Sequence, residues 1–201
     1  NKSAIIAFHV PCKEFTGFNI AASHSDSPSL KIKEDPEMNV ENQYVKLNVE
    51  KYGGMLCAPW FDRPLSVAGR IIVKDGNRLT TKLINVDRDL LMIPNLAIHM
   101  NREVNDGYKY NIQKDMLPLY RMSNSGKAFK EMIAEEAGVS VDQIKGMDLF
   151  LYNRMEGTVW GCDGEFISAP RLDDLQCAFT STMALLNSES DRCIPVVAVF
   201  D

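Results

Sequence analysis

Apolar and polar residues in the first part of the chain fall into two short runs, Ser3–Val10 and Thr16–Ser23, which predict strands joined by a turn near Lys13. Asn39–Val49 alternates loosely until Tyr52-Gly53-Gly54 breaks the pattern. The β signal is strongest between Leu65 and Val86. Val67, Ile71, Ile72 and Val73 lead into Asp75-Gly76-Asn77, and Leu79–Val86 returns. An Asp-Gly step between two apolar runs marks a hairpin. Leu90–Met100 is apolar but split by Pro94, so it reads as a short strand or as a loop packed on the core. Asn101–Asn124 is polar and irregular, with a turn at Asn105-Asp106-Gly107. Ser125-Gly126 opens a predicted helix over Lys127–Ala137 that Gly138 ends, and Ser140 caps a short helical turn over Val141–Ile144. Asp148–Asn153 returns to strand, and Leu175, Phe179, Met183 and Leu186 recur at helical spacing within Leu172–Asn187. Ile194–Phe200 has the continuous apolar character of a buried parallel strand.

Two α/β ends therefore bracket a β-rich middle with few helices. Insertion of one domain into another explains that order better than a single wound sheet does. The fold class expected is α/β: residues 1–34 and 152–201 form one domain, a mixed sheet flanked by helices, and residues 35–151 form an inserted β-rich domain. In open α/β sheets the chemistry lies just past the carboxyl ends of the strands. The sequence stops at Asp201, at such a place, and starts at Asn1 with no Met, so it reads as a fragment of a longer protein.

Composition narrows the function classes. The 201 residues are 45% hydrophobic and 24% charged, ordinary for a globular protein. A net charge of -5 argues against a nucleic-acid partner, which would want a basic stripe. No apolar run approaches the roughly 20 residues that span a bilayer, and no signal peptide is visible. Five widely scattered Cys (Cys12, Cys57, Cys162, Cys177 and Cys193) make no CxxC pair and no disulfide framework. They read as buried or incidental thiols in a reducing, cytoplasmic compartment.

Candidate chemistry sits at two places. Ser23-His24-Ser25-Asp26-Ser27-Pro28 ends the second predicted strand. Residues i and i+2 of an extended chain point to the same side, so His24 and Asp26 share a face. The Asp26 carboxylate can hold the imidazole tautomer while the other ring nitrogen of His24 binds a metal. A lone His at a strand end is otherwise structural or solvated. The second place is Arg171-Leu172-Asp173-Asp174, ahead of the last helix. Its carboxylates either cap that helix or, for Asp173, reach inward to bridge two cations, which repel at about 3.5–4 Å and need a shared anion.

His24-Ser25-Asp26-Ser27-Pro28, Tyr52-Gly53-Gly54, Trp60-Phe61-Asp62-Arg63-Pro64-Leu65-Ser66-Val67-Ala68-Gly69-Arg70, Ile93-Pro94-Asn95-Leu96-Ala97-Ile98-His99 and Ser168-Ala169-Pro170-Arg171-Leu172-Asp173 occur in this order. In them the chain resembles the aspartyl aminopeptidase family along essentially its whole length. The resemblance implies a dizinc metallo-aminopeptidase with an inserted dimerisation domain, cytoplasmic, assembling as a homo-oligomer from dimers up to a dodecamer. It implies His24 as a terminal zinc ligand, Asp26 as the catalytic-site carboxylate that orients it, and Asp173 as the bridging ligand. His99 would bind substrate in trans, from the partner subunit, although sequence alone reads it as a core or edge histidine. Co²⁺ or Mn²⁺ would suit the same donors.

Two departures from the family pattern stand out. The family usually has Asn after the bridging Asp, and here Asp174 follows, adding negative charge and altering a hydrogen bond near the site. In relatives the strand equivalent to Ile194–Phe200 runs into Asp-Asn-Glu-Glu-Val-Gly, which brings the general base Glu and a further ligand, with a later Asp and His. None of these is in this chain. The implied reaction is hydrolysis of the N-terminal, acidic residue of a peptide substrate by a metal-activated water. Weak or no turnover is expected of the 201 residues alone, because His24 and Asp173 cannot hold two metals. Lys31 and Lys33 are candidates for recognising an acidic residue, against a plain reading as solvated strand charges; Asp62-Arg63 reads as structural or interface residues, and His9 as structural. The competing functional class is a non-catalytic oligomeric scaffold or cargo protein on the same fold.

Overall fold

The computed structural model describes residues 3–11 and 13–201, so Cys12 lies outside the described residues. In chain order the first strands are β1 (Ile5–Phe8), β2 (Gly17–His24), β3 (Ser29–Val40), β4 (Tyr44–Tyr52), β5 (Leu65–Asp75) and β6 (Arg78–Asn85). The short helix α1 (Ile112–Asp115), strand β7 (Leu119–Met122) and helix α2 (Phe129–Ala137) follow. The chain continues through β8 (Ile144–Asn153), β9 (Thr158–Trp160), β10 (Phe166–Ser168), helix α3 (Leu172–Asn187) and β11 (Cys193–Phe200). It divides into two compact units, residues 1–27 with 156–201, and residues 28–155.

Residues 28–155 carry a six-stranded sheet in the order β6-β5-β8-β3-β4-β7. Every pairing in it is antiparallel. Leu30 and Ile32 on β3, Leu47 and Val49 on β4, Val67 and Ile71 on β5, and Leu149 and Leu151 on β8 recur at the two-residue period of one face, and all are buried. Phe129, Met132 and Ile133 of α2 join the same core. The predicted hairpin is β5–β6, turning at Gly76, whose φ of 58° suits the residue without a Cβ. Gly69 has φ 151°, and a Cβ there would lie 2.2 Å from the Asp148 carbonyl on the paired strand. That approach keeps β5 and β8 in register.

The unit boundary falls at Ser27/Pro28, earlier than the Glu34-Asp35-Pro36 position expected from sequence. The physical reason is that β3 runs unbroken through Pro36. Its register with β4 shifts between Ile32 and Glu37, an irregularity that accommodates a residue with no N–H to donate. Lys31 and Lys33 consequently belong to residues 28–155. The predicted helix starts at Phe129, where Glu37 Oε1 accepts the Phe129 N–H at 2.7 Å and Glu131 accepts that of Ala128 at 3.1 Å. Leu90–Met100 is no regular strand; Leu91 and Ile93 make isolated bridges to Leu65 and Phe61 and are buried.

Residues 1–27 with 156–201 carry a three-stranded sheet, β1-β11-β2. β11 is antiparallel to β1 and parallel to β2, so Phe200 pairs with His24 at the carboxyl ends of both parallel strands. β9 and β10 form a separate small hairpin. Ile194, Val197 and Ala198 of β11 are buried. The helical spacing in α3 is real, yet Leu175, Phe179, Met183 and Leu186 are exposed. Among the described residues no helix is long and apolar enough to cross a membrane.

Candidate metal centre

β2 delivers His24 to the carboxyl end of the parallel pair, and the chain turns away once the Ser25 N–H has bonded the Phe200 carbonyl at 2.7 Å. His24 Nδ1 lies 3.1 Å from both the backbone carbonyl and the Oδ1 of Asp26. Both partners only accept, so Nδ1 bears the proton and Nε2 presents its lone pair. Partial desolvation lowers the affinity of the imidazole for a second proton. The Asp26 carbonyl and the Asp174 and Asp26 carboxylates outweigh it and set the pKa above the ordinary histidine value.

Nε2 faces two carboxylates. Asp173 Oδ1 lies at 3.4 Å and Asp174 Oδ2 at 3.7 Å. Asp174 caps the regular part of α3, its carboxylate accepting the Cys177 backbone N–H as well as the thiol. Arg171 holds the N-cap position in a left-handed conformation without a side-chain hydrogen bond, and Asp173 and Asp174 have non-helical φ/ψ. The bond between them is cis. The Ser27 hydroxyl donates to the Asp173 carbonyl at 3.2 Å, and the His24 N–H donates to Asp174 Oδ2 at 3.0 Å. Donation from the Cys177 thiol and from the His24 N–H holds the Asp174 carboxyl below its usual range. The same bond pushes the Cys177 thiol up.

One donor atom each from His24, Asp173 and Asp174 falls within 4.8 Å of the other two. Bonds of about 2.0–2.2 Å in a tetrahedral arrangement place donors roughly 3.4 Å apart, so the spacing around Nε2 fits zinc, and imidazole and carboxylate are ligands zinc accepts. The structure thus brings His24, Asp26 and Asp173 together. His99 sits elsewhere, exposed, in the 3-10 turn Ile98–Met100 of residues 28–155, and not in a core. Asp62 accepts the backbone and side-chain N–H groups of Asn95, both at 2.9 Å, and so fixes the base of that loop. Lys31 pairs with Asp148 at 3.0 Å and Lys33 donates to Gln113 at 3.1 Å. Sequence reasoning saw Asp174 as a possible helix cap and as added charge that alters a hydrogen bond, and gave Cys177 no part. The signal for both was the i, i+3 spacing from Asp174 to Cys177 at the head of a helix.

The family model for aminopeptidase I zinc metalloproteases (M18) matches residues 1–201, and the chain belongs to that family. It is 46% identical over 210 residues to a probable M18 family aminopeptidase 2 of Clostridium acetobutylicum, covering 100% of this chain and 48% of that protein. Among solved structures it is similar to Chaetomium thermophilum mApe1, with a TM-score of 0.85 and 35% identity, over 100% of this chain and 50% of that one. It is similar also to a chain in the cryo-EM structure of the Ape4 and Nbr1 complex, with a TM-score of 0.88 and 32% identity, over 100% of this chain and 44% of that one. The chain spans about half the length of the curated relatives it matches.

Proposed function

We propose that this chain contributes to an aminopeptidase that removes the N-terminal residue of peptides at a site built for two zinc ions. The observation that carries this reading is His24, with Asp26 behind Nδ1 and Asp173 ahead of Nε2, at the carboxyl end of a parallel strand pair. Zinc at such a site, when bound, supplies Lewis-acid polarisation of the scissile carbonyl and acidification of a water. The chain's own residues do the positioning. Asp26 keeps the proton on Nδ1, which commits Nε2 to the metal side. The Asp173 side chain is 92% exposed, so its carboxylate is open to a shared role between two cations. Ser27 steadies the Asp173 backbone.

In the same reading residues 28–155 are the dimerisation domain, and their exposed His99 reaches substrate bound by the partner subunit, within a homodimer that builds to a dodecamer. A preference for acidic first residues belongs to the reading as well, but Lys31 and Lys33 are engaged within residues 28–155 and are assigned to its fold.

The test is release of p-nitroaniline from aspartyl- and leucyl-p-nitroanilide, with and without a chelator. It is run on the 201 residues and on a chain of the relatives' full length. Chelator-sensitive turnover by the longer chain, abolished by His24→Ala, is expected. Turnover indifferent to the chelator, or undiminished in the variant, overturns the mechanism.

A further inference from the structure

His99 is carried on a loop with few attachments. Ile93 belongs to the buried core of residues 28–155, and the Asp62 N–H donates to its carbonyl at 2.9 Å. From Pro94 to Met100 every residue is exposed, the apolar Leu96, Ile98 and Met100 included. Among the described residues, the hydrogen bonds of 94–100 either close turns, Met100 N–H to Ala97 and Asn101 N–H to Ile98, or run from Asn95 to Asp62. We propose that Asp62 is the positioning residue for His99: its carboxylate grips Asn95 at two points and so sets the direction in which the loop presents the imidazole to substrate. The proposal rests on the reading that His99 binds substrate and adds to it the group that aims that side chain.

The geometry of the grip points this way. Asp62 Oδ1 accepts the backbone N–H of Asn95 and Oδ2 accepts its side-chain N–H, both at 2.9 Å. Two bonds to one residue fix its rotation as well as its place, which a single bond does not. Donation from those two N–H groups, ahead of the neighbouring Arg63 charge, holds the Asp62 carboxyl below its ordinary range, so both oxygens accept at neutral pH. Asp62 has φ 55°, a left-handed conformation that a Cβ makes costly and that Asp tolerates better than most residues. Its own N–H is tied to Ile93, the last buried residue before the loop. Pro94 stands between, with a fixed φ and no N–H to donate. The four residues from Asn95 to His99 reach at most about 13 Å, so a tilt of about 10° at Asn95 moves the imidazole by about 2 Å. A misplacement of about 1 Å can cost about 100-fold in rate. A group that must reach a substrate has to stand clear of its own core, so apolar packing is not there to aim it and the carboxylate is.

Steady-state hydrolysis of aspartyl-p-nitroanilide by a chain of the relatives' full length tests this in Asp62→Asn, in His99→Ala and in the two combined. Asn keeps the size of Asp and its tolerance of a left-handed backbone, but sets one NH₂ group against another at Asn95. Asp62→Asn should lower kcat/KM roughly 10–100-fold, with zinc content and urea midpoint unchanged. In the His99→Ala background the same substitution should cost nothing further, because no imidazole is left to aim. Asp62→Asn combined with Asn95→Asp exchanges donor and acceptor between the two side chains and keeps an acceptor for the backbone N–H, so it should recover most of the loss. Undiminished kcat/KM in Asp62→Asn, while His99→Ala is impaired, overturns the proposal alone and leaves the reading of His99 standing. A loss in Asp62→Asn that persists in full in the His99→Ala background, or that the exchange does not recover, overturns it in the same way. Full activity in His99→Ala removes the reading of His99 and this proposal with it.

Discussion

Residues 28–155 bury a continuous core beneath their sheet, with Leu30, Leu47, Ile71, Ile133 and Leu149 all withdrawn from water. Residues 1–27 with 156–201 have strands just as apolar, but Ile5, Ile6, Phe8, Phe18 and Ile20 are exposed, and so is the apolar stripe of α3. The candidate metal centre lies wholly on the second, poorly covered unit. Apolar area removed from water is the main source of stability, at about 25 cal/mol per Å². One unit therefore encloses its own core, and the other, which holds the candidate site, leaves the apolar side chains of its strands and helix exposed.

The largest test of this contrast is to separate the two. Residues 28–155 expressed alone should unfold cooperatively in urea and leave the fluorescence of 8-anilinonaphthalene-1-sulfonate dark, while the whole chain should bind the dye. Dye binding by residues 28–155 alone, with none by the whole chain, would reverse the contrast. Next in size, Leu47→Ala should cost about 2–5 kcal/mol by urea denaturation, because it opens a cavity in the covered core. Phe179→Ala, at a position 66% exposed, should cost no more than about 0.5 kcal/mol. Equal costs at the two positions would show that α3 is covered. Gly69→Ala should cost at least about 1–3 kcal/mol, since φ 151° and the Asp148 carbonyl both exclude a Cβ.

The smallest effect concerns pH. Burial works against the charge of Asp148, but hydrogen bonds from Lys31 and Arg70, together with their charges, hold its carboxyl below the ordinary range. A depressed carboxyl stabilises the fold above its unfolded pKa of about 3.9, and that contribution is lost as the pH falls through the folded value. Asp148→Asn should therefore lower stability by no more than about 1 kcal/mol at pH 7 and have no effect in strong acid, read as urea midpoints across the acid range.

What the sequence made legible follows the same division. The β5–β6 hairpin and α2 were readable because local signals set them, an Asp-Gly turn and a terminal glycine. The domain boundary expected near Glu34-Asp35-Pro36 falls inside β3, and only the register shift against β4 shows how the strand carries Pro36. The stripe on α3 gave the helix, but periodicity implies burial only where a partner surface exists. At the site, His24 and Asp26 were legible as an i, i+2 pair on a strand. Their meeting with Asp173 and Asp174 depends on the β2–β11 pairing and on a non-helical start to α3, neither of which a local pattern encodes.

That pairing has a kinetic consequence. The Ser25 hydroxyl and the Phe200 carbonyl it bonds are 175 residues apart in sequence, whereas β5 and β6 meet across a two-residue turn. Hairpins close in about 1–10 µs, but contacts of such long range await the closure of everything between them. His24 and Asp173 should be among the last groups to find each other during folding. Zinc offered early would meet scattered single ligands, and zinc offered late would meet a finished cluster.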